Sequence, residues 1–302
     1  MKHLIITAGD PLGIGPEITV KALKKLKNKT AAVTVIGDGQ TLRAAGWHSG
    51  LGRLIEVQSS FKKPGKNGPC AWGGDISYQA LMAAITLMNA GQGNALITAP
   101  ISKEAWALAN VPFTGHTEVL KKHAAKDGAL MMFNAGKINC ALASEHFAIK
   151  DLPKIITKER IKNAAKIFAK QLGGKRAAIA LSALNPHNGD GGKLGMEEIK
   201  IISPAAAELK KEGFNIAGVY PIDSLWQKHA AGKFDGILCI YHDQALTGLK
   251  LAAKQPIVHI TAGLKWPRVS PTHGTAFDIA YTGQADASGM LAAINYALKL
   301  FP

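Results

Sequence analysis

Six of the ten histidines stand in polar or turn-rich surroundings: His116 in FTGHTE, His146 in SEHF, His187 in NPHNGDGG, His242 in YHDQ, His259 in VHIT and His273 in THGT. A lone histidine is usually structural. Three of these, His146, His187 and His242, end or follow strand-like runs, and the edge of an open α/β sheet is where ligands bind. Neutral imidazoles gathered there would suit zinc, cobalt, nickel or iron better than magnesium or calcium, with positions left open for substrate oxygens. Spacing alone does not bring the three together, so the residues leave open both a metal site and three separate structural roles.

Other polar segments sit beside them. GDPLGIGPE (9–17) follows a strand and precedes a helix, with Gly9, Gly13 and Gly15. It lacks the third glycine of the dinucleotide fingerprint, so it reads either as a tight βα turn or as a loop whose N–H groups and helix N-terminus face a substrate or cofactor. LNPHNGDGGKLG (184–195) holds four glycines and Asp190, which permits close backbone approach to a ligand but equally describes a flexible loop. YHDQ delivers His242, Asp243 and Gln244 to the end of the strand GILCIY, as site residues or as an exposed tip. RVSPTHGTAFDIA (268–280) combines Arg268, His273, Gly274 and Asp278, with the glycine just before an expected helix. That arrangement suits anions, unless Arg268 is a surface cation.

The elements that must carry these residues alternate along the chain. Short apolar or β-branched runs, LIIT (4–7), AVTVIG (32–37), ALIT (95–98), AAIAL (177–181), GILCIY (236–241) and PIVHIT (256–261), are separated by helix patterns near 15–27, 75–90, 116–126, 157–172, 196–212, 221–231 and 285–300. This rhythm predicts an α/β protein with a mostly parallel sheet covered by helices. FKKPGKNGPCAWGG (61–74) reads as a surface loop, and polar clusters at APISK (99–103) and YHDQ (241–244) mark domain junctions. The expected division is one domain of residues 1–100 with 243–302 and a second of 101–242.

With 47% hydrophobic residues over 302 positions, the chain can bury a substantial core. No apolar run reaches the length of a membrane helix, and MKHLIITAGD enters a strand without a signal-peptide pattern, so no membrane partner and a cytoplasmic location are expected. Cys70, Cys140 and Cys239 form no C-x-x-C pair and read as reduced thiols. A net charge of +15 favours anionic partners, nucleic acid or phosphate esters among them. The lysines at Lys21, Lys24, Lys25, Lys27 and Lys29, and at Lys158, Lys162, Lys166 and Lys170, read as solvated helix faces, and the scattered aromatics offer no base-stacking platform. Nucleic acid is therefore not an expected partner.

Taken in order, GDPLGIGPE, PFTGHTE, LNPHNGDGG, YHDQ and HGTAFDIA resemble the 4-hydroxythreonine-4-phosphate dehydrogenase family of pyridoxine biosynthesis, from about residue 5 to about 297. HGTAFDIA also looks like the nucleotide-contacting loop of isocitrate and isopropylmalate dehydrogenases, which bind NAD without the Rossmann fingerprint. The resemblance implies two α/β/α domains with an interdomain active site completed across a homodimer. It implies NAD or NADP and a divalent metal, zinc first, then cobalt or magnesium, held by His146, His187 and His242. It implies substrate contacts from His116, Thr117, Lys250, His259 and Arg268, cofactor contacts from Gly13, Gly15, His273, Gly274 and Asp278, and catalytic roles for Asp243 (a proton relay), Lys250 and Asp223. The implied reaction oxidises 4-hydroxythreonine 4-phosphate to a β-keto acid that decarboxylates to 3-amino-2-oxopropyl phosphate. Threonate or erythronate 4-phosphate is the alternative substrate, and a metal-dependent hydrolase the alternative use of the histidines. The chain departs from the family pattern at His259 (commonly Asn), Thr272 (commonly Asp), Ala245 (commonly Gly), Trp266 and Pro267.

Overall fold

A computed structural model describes residues 2–26, 31–65 and 67–301, which divide into two compact units, 2–129 with 258–301 and 130–257. Lys27 and Lys29 of the first lysine run, and Lys66 of the expected loop, lie outside the described residues. The fold is α/β with mostly parallel strands and flanking helices, as the alternating pattern predicts.

The first unit runs β1 (Lys2–Thr7), α1 (Gly15–Lys25), β2 (Ala31–Gly37), α2 (Gly39–Ala44), β3 (Arg53–Glu56), α3 (Ala71–Asn89), β4 (Ala95–Thr98), α4 (Lys103–Leu108) and α5 (His116–Ala124). The chain passes into the second unit along β5 (Ala125–Ala135), which continues with β6 (Ile138–Leu142), α6 (Leu152–Ile155), α7 (Lys158–Gln171), β7 (Ile179–Ser182), α8 (Ser203–Lys211), β8 (Ile216–Tyr220), α9 (Ile222–Ala230), β9 (Gly236–Cys239) and α10 (His242–Ala252). It returns to the first unit with β10 (Val258–Leu264), β11 (Arg268–Pro271) and α11 (Ser288–Lys299).

In the first unit the strands lie in the order β3-β2-β1-β4-β11-β10, all parallel except β10, which runs antiparallel to β11. Leu4, Ile5, Ile6, Leu96 and Ile97 are fully buried, as strands covered on both faces require. In the second unit the order is β5-β6-β9-β7-β8, with only the β5–β6 pair antiparallel.

The boundaries fall later than the polar clusters suggested. APISK is not a junction, because α4 after it stays docked on α3: Ser102 caps the helix by accepting from Ala105 N–H, and Trp106 Nε1 donates to Ser77 Oγ at 2.9 Å. YHDQ is likewise internal to the second unit, where it turns β9 into α10. The lysine stripe of α7 is committed to α8: Lys158 and Lys162 pair with Glu208, and Lys162 and Lys166 with Glu212. Exposed pairs of this kind contribute little stability. Among the described residues no helix is long and apolar enough to cross a membrane.

Candidate active site

The first unit builds an anion socket from strand register. In the antiparallel β10–β11 pair Thr261 lies opposite Arg268 and His259 opposite Ser270, so all four share one face. Arg268 is 3% exposed, and among the described residues no carboxylate pairs with it. Its Nη1 donates to His259 Nδ1 and Thr261 Oγ1, both at 3.1 Å, its Nη2 donates to Thr98 Oγ1 at 2.6 Å, and its Nε has no partner. Burial alone pulls the guanidinium down to about 9. An arginine taken from water with only neutral partners still lacks the anion its charge calls for.

The same hydrogen bonds set the state of His259. A guanidinium can only donate, so Nδ1 accepts from Arg268 and, at 3.3 Å, faces Ser270 Oγ, which leaves the ring neutral with its proton on Nε2. The imidazole thereby presents an N–H, as an asparagine amide would. His116 opens α5 and rests on Trp106, with ring centroids 5.9 Å apart. Burial first, then the charge of Arg268, holds its pKa well below the usual histidine range, and its Nε2 is buried without a partner. Thr117 follows in the first turn, half-buried.

GDPLGIGPE and the segment after β11 meet, because Ile14 N–H donates to Thr275 C=O at 2.8 Å. Gly13 and Gly15 are glycines for packing: a Cβ would lie 2.7 Å from the Thr275 oxygen at the first and 2.1 Å from the Ala8 oxygen at the second. The helix expected after Gly274 does not form. Ala276 and Tyr281 take positive φ, and the segment is tied down through Tyr281, whose N–H donates to Glu17 and whose hydroxyl donates to Pro11 C=O. His273, Gly274 and Asp278 are exposed, and nothing would obstruct a ligand close to the Gly274 backbone. Beside this loop Asp10 is buried, with Oδ1 accepting from Leu12 N–H and Oδ2 unpartnered, and burial pushes its carboxyl up to about 6.

The second unit carries the metal candidates. The rings of His146 and His242 lie 5.3 Å apart, and His242 Nδ1 sits 2.7 Å from Asp243 Oδ1. That carboxylate orients the ring through Nδ1 and leaves Nε2 facing away from it, the usual arrangement behind a ligating histidine. His187 is exposed in a run from His187 to Gly192 in which all six residues take positive φ. Such a run is costly for His187, Asn188 and Asp190 and persists only where its surroundings impose it. Here they do: Glu198 is 3% exposed and accepts from Leu184 N–H and Asn185 N–H, both at 2.8 Å, and a Cβ at Gly189 would meet its carboxylate.

Among the described residues, no group of three or more His, Cys, Asp or Glu is gathered to hold a metal ion. The structure therefore pairs His146 with His242 and leaves His187 outside a three-ligand group. Asp243, Lys250 and Asp223 are exposed at the N-terminal turn of α10, two turns further along it, and in the first turn of α9. Sequence reading did not single out Thr98, Thr261 or Glu198. The first two are signalled only by register, and Glu198 only by the acidic pair of GMEE next to the glycine loop.

The α/β scaffold thus carries a buried cationic socket in one unit and a histidine pair at strand ends in the other. The family described as pyridoxal phosphate biosynthetic protein PdxA matches residues 14–297, and the chain belongs to it. It is 36% identical to a 4-hydroxythreonine-4-phosphate dehydrogenase of Geobacter metallireducens, over 99% of this chain and 95% of that one. It is 33% identical to a D-threonate 4-phosphate dehydrogenase of Pectobacterium atrosepticum, over 99% of both. The crystal structure of 4-hydroxythreonine-4-phosphate dehydrogenase from Klebsiella pneumoniae superposes with a TM-score of 0.86 at 32% identity, covering 99% of each chain. A β-decarboxylating dehydrogenase from Thermococcus kodakarensis shares the fold alone, with a TM-score of 0.52 at 15% identity over 99% of this chain and 84% of that one.

Proposed function

We propose that the chain carries out the NAD-linked, divalent-metal-dependent oxidation of 4-hydroxythreonine 4-phosphate to a β-keto acid that decarboxylates to 3-amino-2-oxopropyl phosphate, in pyridoxal 5'-phosphate biosynthesis. The observation that carries the reading is the buried Arg268 with neutral partners only, a site that calls for an anionic substrate. Arg268 would take a substrate carboxylate or phosphate, His259 would donate from Nε2 to a substrate oxygen, and Thr117 would add a hydroxyl. Lys250 would meet the second anionic group as a point charge.

His146 and His242 fit a divalent cation: two imidazoles stand side by side, one oriented by Asp243. His187 would supply the third donor. Zinc suits such imidazole donors, with cobalt or magnesium as alternatives. When bound, the cation lowers the pKa of the substrate hydroxyl and polarises its carbon for oxidation, while NAD or NADP takes the hydride. Asp243, engaged with His242, would act mainly by orienting that ring, and Asp223 remains the candidate for moving a proton. His273, Gly274 and Asp278 would face the nucleotide.

A second copy of the chain would complete the active site. Phe147 and Ile149 beside His146, and Leu194, Met196 and Ile199 after the His187 loop, are large apolar side chains from 39% to 69% exposed, which supports a homodimer contact on this side of the second unit.

D-threonate 4-phosphate is a second reading, favoured by the likeness to the D-threonate 4-phosphate dehydrogenase of Pectobacterium atrosepticum; its carboxylate and phosphate would meet Arg268 and Lys250 in the same way. Erythronate 4-phosphate would share these contacts. The decarboxylation is tested with 4-hydroxythreonine 4-phosphate labelled with ¹³C at the carboxyl. The expected outcome is one labelled carbon dioxide per NADH, and NADH formed without labelled carbon dioxide would limit the activity to oxidation.

A further inference from the structure

We propose that Gln244 is a positioning residue for the histidine metal site, its side-chain amide holding the carboxyl ends of β7 and β9 in register. The inference rests on the reading that His146, His187 and His242 bind the metal. Each of those histidines leaves a different parallel strand: β6 ends at Leu142, β7 at Ser182 and β9 at Cys239, with β9 lying between the other two. Errors in the relative height of these three ends pass directly into the spacing of the imidazoles.

A buried polar network crosses the strand ends. Ser144 Oγ donates to Ile240 C=O at 2.6 Å, tying β6 to β9. Ile240 N–H donates to both Ser182 Oγ and Gln244 Oε1 at 3.0 Å, and Ser182 Oγ donates to the same Oε1 at 2.8 Å. Gln244 Nε2 donates to Ala183 C=O at 2.7 Å, just before the loop that carries His187. Both serines are fully buried, and Gln244 is 6% exposed. The planar carboxamide meets both ends at once, its oxygen accepting from Ser182 and Ile240 and its nitrogen donating to Ala183.

Gln244 belongs to the first turn of α10, the helix that His242 begins. That turn is fixed from outside as well: Trp226 Nε1 donates to the Gln244 carbonyl at 2.7 Å, and a Cβ at Gly248 would lie 2.2 Å from the same indole nitrogen. With the backbone of α10 held in this way, the carboxamide sets the height of His242 relative to the His187 loop. Residues behind ligating histidines typically change metal affinity by about 10- to 100-fold when altered.

The test uses the full-length protein in its native assembly. Gln244→Glu keeps the length and the acceptor and replaces the donor that faces Ala183. Co(II) affinity is measured by competition with a chromophoric chelator, together with the visible d–d absorption of bound Co(II). Phe168→Leu serves as a control that loosens the same unit's core without touching the network. The expected result is a loss of about 10- to 100-fold in Co(II) affinity with altered d–d bands for Gln244→Glu, and wild-type affinity and bands for Phe168→Leu at a comparable loss in Tm. If Gln244→Glu does not fold, Ser182→Ala, which removes one partner of Oε1, should shift affinity the same way by a smaller factor. Unchanged affinity and spectrum in the folded network variant, or an equal change in Phe168→Leu, would overturn the positioning role alone. Wild-type protein that binds no Co(II), or a His187→Ala variant that binds it normally, would overturn the metal reading and this inference with it.

Discussion

Arg268→Met should make the protein more stable and sharply weaken its use of substrate. The guanidinium is buried with threonine and imidazole partners and no counter-charge, so the folded chain carries a desolvation cost that a methionine of similar length removes. Each kcal/mol recovered raises Tm by roughly 2–4 °C for a domain of this size. The lost anion contact should cost about 2–3 kcal/mol in kcat/KM, or roughly 30- to 150-fold. Thermal unfolding and steady-state kinetics on one preparation check both halves. A Tm that falls sharply, or an unchanged kcat/KM, would mean that Arg268 is a structural residue whose partners on β4 and β10 depend on it.

His242→Ala should have the larger kinetic effect, a loss of at least about 10³-fold in kcat/KM, equivalent to about 4 kcal/mol. The ring is a proposed metal donor, and it neighbours His146 at 5.3 Å. Asp243→Asn, which keeps the shape but removes the carboxylate that orients His242, should cost about 10- to 100-fold in metal affinity and leave turnover recoverable at high metal. Chelator-treated enzyme titrated with zinc checks the pair. Full activity of His242→Ala in metal-free buffer would contradict the assignment.

How far the sequence could be read varies along the chain for physical reasons. LIIT, AVTVIG and ALIT stand out because strands buried on both faces need unbroken apolar runs, and they form β1, β2 and β4. β11 does not, because RVSP carries a buried arginine and a proline, and β8 contains Gly218, which weakens any strand signal. The start of α10 is hidden in YHDQ, since Tyr241 supplies no side-chain cap. The glycine of THGTAFDIA suggested a helix start, whereas the Tyr281 contacts to Glu17 and Pro11 give the segment a tertiary alternative that no local pattern encodes.

The site divides in the same way. Motif context singled out His146, His187, His242, His259 and Arg268 as candidates, of which the structure sets His146 beside His242 and His259 beside Arg268. It could not show Thr98 and Thr261 beside Arg268, because that meeting depends on how β4, β10 and β11 are registered. The departures from the family pattern also find places. Ala245 is fully buried and Trp266 is 8% exposed, with its indole donating to Asn89 Oδ1 at 3.0 Å. Thr272 is exposed, and His259 keeps a neutral N–H where asparagine is common.

NADH formation at 340 nm is to be measured with zinc, cobalt or magnesium, comparing 4-hydroxythreonine 4-phosphate with D-threonate and erythronate 4-phosphates. The expected result is metal-dependent NADH formation, with the highest kcat/KM on 4-hydroxythreonine 4-phosphate. A preference for a sugar-acid phosphate would keep the hydride chemistry and move the substrate to the second reading. No NADH from any of the three, with either NAD or NADP and any of the metals, would contradict the assignment of the Arg268 socket and the histidine pair to this reaction.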